Sequence, residues 1–521
     1  MNFVALIAAL DQTTKTTAKH DSLVEFIQQG DPVEVALGCA HLLGHRTLKG
    51  HRALLRQTGI EYLGDETLFE AAYAAVGDLA ETLSLLINDP DAILDRTTPC
   101  ISQWLDEIVA IQAAGSPSQA LIAQLAKCTA LSNWTFLKLW TGGWRLGVSQ
   151  GLVTQALATV TGQSASVIAE RLIDDWSTDG AWLSRFSQPV SAEERQRSPV
   201  PFCLAQGWQA DHAGTRDIAD YIVEYKWDGI RCQLIRAQGV TRLWSRGEQD
   251  ITHQFPDVVA ASIALPENCL LDGELLVIQD GQPAPFQALQ TRLNRKRVSV
   301  ALQHSHPVQF RAYDLLRLDG IDYRNNPLSE RRAILTTLTV DQSPALTAAS
   351  WEAVERTRSE AATVGAEGLM LKARNGLYHG GRQHGLWWKW KLDPMTADVV
   401  LLYAQAGHGR RARLYTDYTF GIRGETGDWI TVAKAYSGLT DTELTKIDRW
   451  IRQHTIESFG PVRQVEPRLV FEIAFEGIAA SRRHKSGIAL RFPRILRLRT
   501  DLGLDDADQL PHFHALLKAR R

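Results

Sequence analysis

The spacing of apolar residues changes character twice along this 521-residue chain, and each stretch can bury its apolar face in only one kind of layer. Up to about residue 195 the chain is rich in Ala and Leu. Apolar residues recur there at three- and four-residue spacing, as in Leu68, Phe69, Ala72, Tyr73 and Val76, which predicts helices. From about 220 to 395 short strand-like runs (270–271, 275–278) alternate with helical runs (329–337, 351–362). From Ala397 strands dominate, at 398–403, 415–422, 429–435 and 468–475, with one amphipathic helix at 441–454. Strands in that number with one helix fit a small barrel of the OB type. The polar stretch 187–201, with Pro189, Pro199 and Pro201, reads as a linker, and Pro394 marks a second boundary. The expected architecture is therefore multidomain: an all-α domain over 1–198, an α+β domain over 199–394 and an OB-fold β-barrel over 395–521.

With 45% hydrophobic and 22% charged residues the composition is that of an ordinary globular protein. No run of about 18 apolar residues predicts a membrane span. The apolar start lacks the basic region and cleavage site of a secretory signal, so a cytoplasmic location without membrane association is expected. Six scattered cysteines form no CxxC pair, which argues against a zinc module. The first 200 residues carry 14 Lys and Arg against 22 Asp and Glu, and the remainder 42 against 37. Yet residues 108–169 contain no acid at all, only Lys127, Lys138 and Arg145. Such a stretch fits either a buried helix pair or a face that meets an anion. Within it residues 141–149 break two helices, Ser149 is placed to cap the helix that follows, and Arg145 stands beside it. A capped helix start next to an arginine suits a phosphate, so Arg145 and Ser149 are candidate nucleic-acid contacts.

Lys226 is the most informative single residue. It stands in Glu224-Tyr225-Lys226-Trp227-Asp228-Gly229-Ile230-Arg231, a polar cluster inside a strand-like sequence. A partly desolvated lysine flanked by cations loses its proton more readily, and the free amine is a nucleophile. Further motifs follow in order: Ser245-Arg246-Gly247, then Leu271-Asp272-Gly273-Glu274, Ala312-Tyr313-Asp314 and Glu367-Gly368-Leu369-Met370-Leu371-Lys372. Next comes Trp387-Trp388-Lys389-Trp390-Lys391, with two lysines on one face of a strand. Arg491-Phe492-Pro493-Arg494-Ile495-Leu496-Arg497-Leu498-Arg499 supplies a basic ladder near the end. An amine, two carboxylates, a stacking aromatic and several cations are the parts required for phosphoryl chemistry on a nucleotide.

The ordered set resembles the nucleotidyltransferase superfamily of ATP-dependent DNA ligases and mRNA capping enzymes. Glu224–Arg231 is similar to the ligase lysine motif, and Leu490-Arg491-Phe492-Pro493-Arg494 to its last motif. Residues 76–81 and 141–158 look like the helical DNA-binding domain of three-domain ligases found in bacteria, archaea and eukaryotes. The resemblance implies an ATP-dependent DNA ligase that seals 3′-OH/5′-phosphate nicks through lysyl-AMP and DNA-adenylate. RNA ligase or capping chemistry, and a non-catalytic nick-binding protein, are the alternatives; labelling with ATP or GTP separates them. The implied roles are these. Lys226 is adenylated, and Asp228 supports it and the sealing step. The Glu224 region reads adenine and Tyr313 stacks on it, while Arg231 and Glu274 hold the ribose. Arg246 grips the 5′-phosphate of the nick. Lys389 and Lys391 contact the α-phosphate. Glu274 and Glu367 hold Mg²⁺ or Mn²⁺. Arg491, Arg494 and Arg497 orient the leaving pyrophosphate. The family's last motif ends in lysine where this chain has Leu502, which shifts the expected burden to Arg497 or Arg499. Nicked duplex DNA is the implied partner and a monomer the implied state.

Overall fold

Helix caps fix where the N-terminal helices begin and end. The computed structural model describes the chain except residues 46–50, 92–99, 175–180, 210–211, 213–215, 248, 294, 296, 407–413, 425–426, 437, 461, 482–483 and 520–521. Asp31 accepts from the amides of Val33 and Glu34 and starts helix Pro32–Leu42, with proline at its first position. Asp65 caps Glu66–Val76, which ends on Gly77 in the left-handed region, and Asp78 caps Leu79–Leu86. The core between these helices is aromatic: Trp104 meets Phe136 edge-on at 6.0 Å, and Trp140 is fully buried. Among the described residues no helix is long and apolar enough to cross a membrane.

The chain divides into two compact units. One holds Met1–Ser149 and Pro394–Arg521, the other Gln150–Ser177 and Ala181–Asp393. The second division falls at 393/394. The first falls at 149/150 rather than 198/199, for a visible reason. Arg171 of helix Ala165–Asp174 pairs with Glu194 and donates to the carbonyls of Arg185, Phe186, Gln188 and Pro189. Val200 exchanges two hydrogen bonds with the Gln233 side chain, and Arg317 donates to the carbonyl of Gln196. Residues 187–201 therefore do not form a free linker. They include a helix, Ala192–Arg197, with a capping box from Ser191 and Glu194, and they are tied down to the sheet that follows.

Two sheets make up the core of that unit. One has the order Gln206–Gly207, Trp387–Lys391, Ala366–Ala373, Tyr221–Trp227. The other runs Asp341–Gln342, Val308–Leu318, Cys269–Gln279, Ile230–Ala237, Val240–Ser245. The turn Asp228-Gly229 carries the chain from the first sheet to the second. A Cβ on Gly229 would lie 2.3 Å from the Leu275 carbonyl and 2.7 Å from Glu274 Cγ, so only glycine lets the Lys226 strand approach Glu274 so closely.

In the C-terminal region, strand Met395–Ala406 pairs along its length with Tyr415–Arg423, Val462–Val465 and Val470–Phe475, and Val470–Phe475 pairs with Arg494–Leu498. One strand shared among three partners curls the sheet around an apolar core of Phe420, Phe471 and Ile473. Helix Asp441–Gln453, started by the Thr440/Glu443 capping box, packs Leu444, Ile447 and Ile451 into that core. The result is β-rich and OB-like. Strands Thr455–Phe459 and Val462–Val465, and the final helix Leu510–Ala519, are additions to the expected elements.

Candidate active site

Alternation along the strand points Glu224 and Lys226 to the same side of Tyr221–Trp227. The neighbouring strand Ala366–Ala373 pairs with it antiparallel, but its register shifts between Ala366 and Leu369. That irregularity falls at Glu367-Gly368, where Gly368 adopts φ +141° and a Cβ would lie 2.3 Å from the Trp390 carbonyl. A local bulge re-aims side chains. Here it brings the Glu367 carboxylate onto the Lys226 ammonium, and its second oxygen lies 3.3 Å from Lys391 Nζ. Burial works against the Glu367 charge, but Lys226 and Lys391 outweigh it and hold its pKa below the usual carboxylate range.

The cations gather around this carboxylate. Lys389 sits two residues before Lys391, and its pKa is lowered, first by burial and then by Lys391, Lys226, Arg382 and Arg246. Arg246 is exposed, with its amide bonded to the Arg231 carbonyl. Asp228 is half-buried at the turn. Glu274 lies on the facing strand, and its pKa is pushed up to about 8 by burial, which Lys226 and Arg231 only partly oppose. A carboxyl with a raised folded-state pKa binds a proton that the unfolded chain has already released. Stability is therefore lost as pH rises from the ordinary carboxylate range through about 8. The melting temperature should fall across that window, and Glu274→Gln should flatten the decline; thermal scans from about pH 5 to about pH 9 measure this.

The second half of the cluster is a box of buried charges and rings. Arg231 grips Asp272 through two bonds of 3.1 and 2.6 Å and donates to the Cys203 carbonyl at 2.7 Å. Its guanidinium lies over Phe202, Trp387 and Tyr313 at 5.0, 4.9 and 5.8 Å. Asp272 is fully buried and also accepts from the Tyr378 hydroxyl at 2.7 Å. Tyr313 is itself buried, edge-on to Trp387. Glu224, 1% exposed, pairs with Arg332 at 2.6 Å and Lys372 at 2.8 Å. The Lys372 ammonium stands 4.0 Å from the Tyr313 ring centroid and 4.4 Å from that of Trp387.

Glu224, Lys226, Arg231, Glu274, Tyr313, Glu367, Lys389 and Lys391 thus all belong to one neighbourhood. Asp272, Arg332, Lys372, Tyr378 and Trp387 join it without having been marked as site residues. Lys372 closes the Glu367 motif and lies on the strand paired with the lysine strand, which was a readable signal.

The basic ladder belongs to the other unit. Arg491 lies over the Phe492 ring, Arg494 is 3.9 Å from Glu476, and Arg497 pairs with Glu472 at 2.6 Å. Arg499 is bonded to Asp398 through two 2.9 Å contacts and to Asp501 at 2.8 Å. That engagement leaves the Arg499 side chain 15% exposed, against 60% for Arg497. Arg499→Ala should lower the melting temperature and slow every reaction step alike, whereas Arg497→Ala should leave the melting temperature unchanged; parallel thermal scans and step-resolved assays test both. In the helical region Lys138 is buried, pairs with Asp78 at 2.6 Å and donates to the Gly143 carbonyl. The acid-free stretch is thus partly explained by internal pairing. Lys127 and Arg145 are exposed, Arg145 at φ +53°, and the helix after Ser149 is Gln150–Thr161.

Among the described residues no three His, Cys, Asp or Glu side chains gather to hold a metal. Glu274 and Glu367 stand in one cluster, and a cation bound there would have to displace the proton that Glu274 holds up to about pH 8. Two such groups suit Mg²⁺, which is commonly bound by one or two carboxylates plus substrate phosphates.

The chain is similar in sequence and fold to known proteins. The model of the ATP dependent DNA ligase domain matches residues 204–391, and that of the ATP dependent DNA ligase C terminal region matches 411–502. A "Probable DNA ligase" of Koribacter versatilis is 32% identical over 552 residues, covering 98% of this chain and 95% of the relative. "DNA ligase 1" of Korarchaeum cryptofilum is 32% identical, covering 76% and 74%. The solved structure named Pmar-Lig_PreS3 shares the fold at a TM-score of 0.54 and 15% identity, covering 96% of this chain and 99% of its own.

Proposed function

The chain belongs to the ATP-dependent DNA ligases, enzymes that seal nicks in DNA, and from that premise we propose how its residues divide the work. The observation that carries the reading is Lys226 paired with Glu367 beside Lys389 and Lys391. In the first step the Lys226 amine, once it has passed a proton to solvent and left Glu367, forms a bond to the α-phosphorus of ATP. The bond from that phosphorus to the bridging oxygen of the β-phosphate breaks, and pyrophosphate departs. Lys389 and Lys391 meet the charge that grows on the α-phosphate oxygens. A 5′-phosphate oxygen of the nick, gripped by Arg246, then bonds to the AMP phosphorus, and the bond from that phosphorus to the Lys226 nitrogen breaks. Finally the 3′-hydroxyl attacks the 5′-phosphate, AMP leaves as a phosphate monoester, and the strand is closed.

Adenine lies in the Glu224–Tyr313 neighbourhood and the ribose near Glu274 and Arg231, and the bonds that Arg231 donates to Asp272 preset its guanidinium. Glu274 and Glu367 would hold Mg²⁺ or Mn²⁺, which would neutralise phosphate charge. Arg491, Arg494 and Arg497 steer pyrophosphate. The helical N-terminal region grips duplex DNA through contacts such as Arg145 and Ser149, and the OB-like region completes a monomer on the nick. Incubation with α-labelled ATP, then with a nicked duplex, tests the reading. Label should appear on the protein, move to the 5′ end and disappear with sealing. Label from GTP instead, or transfer to RNA ends alone, would redirect it.

A further inference from the structure

Arg358 lies outside every motif, yet it fastens the segment that carries Lys391. It projects from helix Trp351–Ser359, which is itself anchored: Trp351 stacks on Trp208 at 4.7 Å and donates to the Arg216 carbonyl, and Val354 is fully buried. The guanidinium lies 5.2 Å from the Trp390 ring centroid, donates to the Lys391 carbonyl at 2.8 Å, and reaches the Asp393 carboxylate at 3.5 Å. From the other side the Leu392 amide donates to the Glu367 carbonyl at 3.0 Å. The stretch 390–393 is thus clamped between the Glu367 strand and one buried arginine, immediately before the division at 393/394.

We propose that Arg358 is a positioning residue for adenylation, acting through the Lys391 backbone to hold that ammonium where the α-phosphate forms its new bond. This rests on the role of Lys391 proposed above. The three contacts are not equal. Asp393 is 90% exposed, so its ion pair is screened by water and salt. The Lys391 carbonyl and the Trp390 face, on half-buried residues, both use the planar guanidinium, as donor and as stacking surface. Charge alone therefore does not suffice, and lysine cannot replace this arginine.

The test is single-turnover transfer of α-labelled ATP onto the full-length protein, with melting temperatures measured alongside. Wild-type labelling comes first; if it fails, the ligase reading fails, not this one. Arg358→Lys should slow the maximal adenylation rate about tenfold with little change in the ATP concentration needed for half-saturation. Asp393→Asn should stay within about twofold of wild type. In a Lys391→Ala background, Arg358→Lys should add less than about a further twofold loss, because the two act in series. Wild-type rates in Arg358→Lys, equal losses in Asp393→Asn, or multiplicative losses in the double variant would each overturn the proposal. The last pattern would mark a merely structural arginine.

Discussion

Lys226→Ala is expected to leave no protein–AMP adduct at all, because alanine offers no nitrogen to form the phosphoramidate. The variant should keep its fold: the Lys226 side chain is partly solvent-exposed, and the strand Tyr221–Trp227 retains both its pairing and the aromatic contact of Tyr225 with Trp227. Its loss frees Glu367 from one cation and leaves Lys391 as the other, so the carboxylate is not stranded. Closure of a nick that already carries AMP on its 5′-phosphate should persist, since the third step needs no nucleophile from the protein. The comparison of labelled-ATP transfer with closure of a pre-adenylated nick is therefore decisive. A normal adduct on the variant would move the nucleophile to another residue, and equal loss of both steps would mean that Lys226 supports the fold of the site.

How much of this was legible in the sequence follows from what makes a residue conspicuous. Lys226 and Glu367 stand out because a charge interrupts an apolar strand, and Lys389 and Lys391 because their two-residue spacing puts them on one face. The change from helical to strand periodicity located the regions, since each period needs its own layer. Spacing along the chain cannot show which buried charges meet. Glu224 and Lys372 are 148 residues apart, and Arg231 and Asp272 are 41 apart on paired strands. Which of them pairs with which becomes visible only once the sheets are assembled. Residues 187–201 misled for the opposite reason. Their prolines and charges have the composition of a linker, but Arg171 and Gln233 satisfy the backbone locally and bind the stretch to its neighbours.

The second large effect is expected at Glu224, and it concerns stability as much as ATP. Glu224 and Lys372 are each 1% exposed, and Arg332 shares the same carboxylate. Removing the one anion leaves two cations facing each other in a site that excludes water. Breaking a buried pair from one side costs about 3–5 kcal/mol, a large part of the stability of most domains. Arg332 has other acceptors, the carbonyls of Ser343 and Tyr313, at 2.8 and 3.3 Å, so it can hold its place. Lys372 keeps the ring faces of Tyr313 and Trp387 and the charge of Asp314, which is already committed to Arg331. The stranded ammonium is therefore the main penalty, and desolvation already lowers its pKa with Glu224 in place. Two consequences separate this account from a simple loss of adenine contacts. Glu224→Gln should lower the denaturation midpoint strongly, whereas Glu224→Gln combined with Lys372→Met should recover most of that loss, because the charge without a partner has gone. Both variants should bind ATP weakly, since the Tyr313 ring rests against Lys372 in the intact site. Tryptophan-fluorescence denaturation of the full chain, with ATP binding measured on the same samples, resolves the two. Additive losses in the double variant would show that the triad stabilises the fold through packing rather than through paired charge.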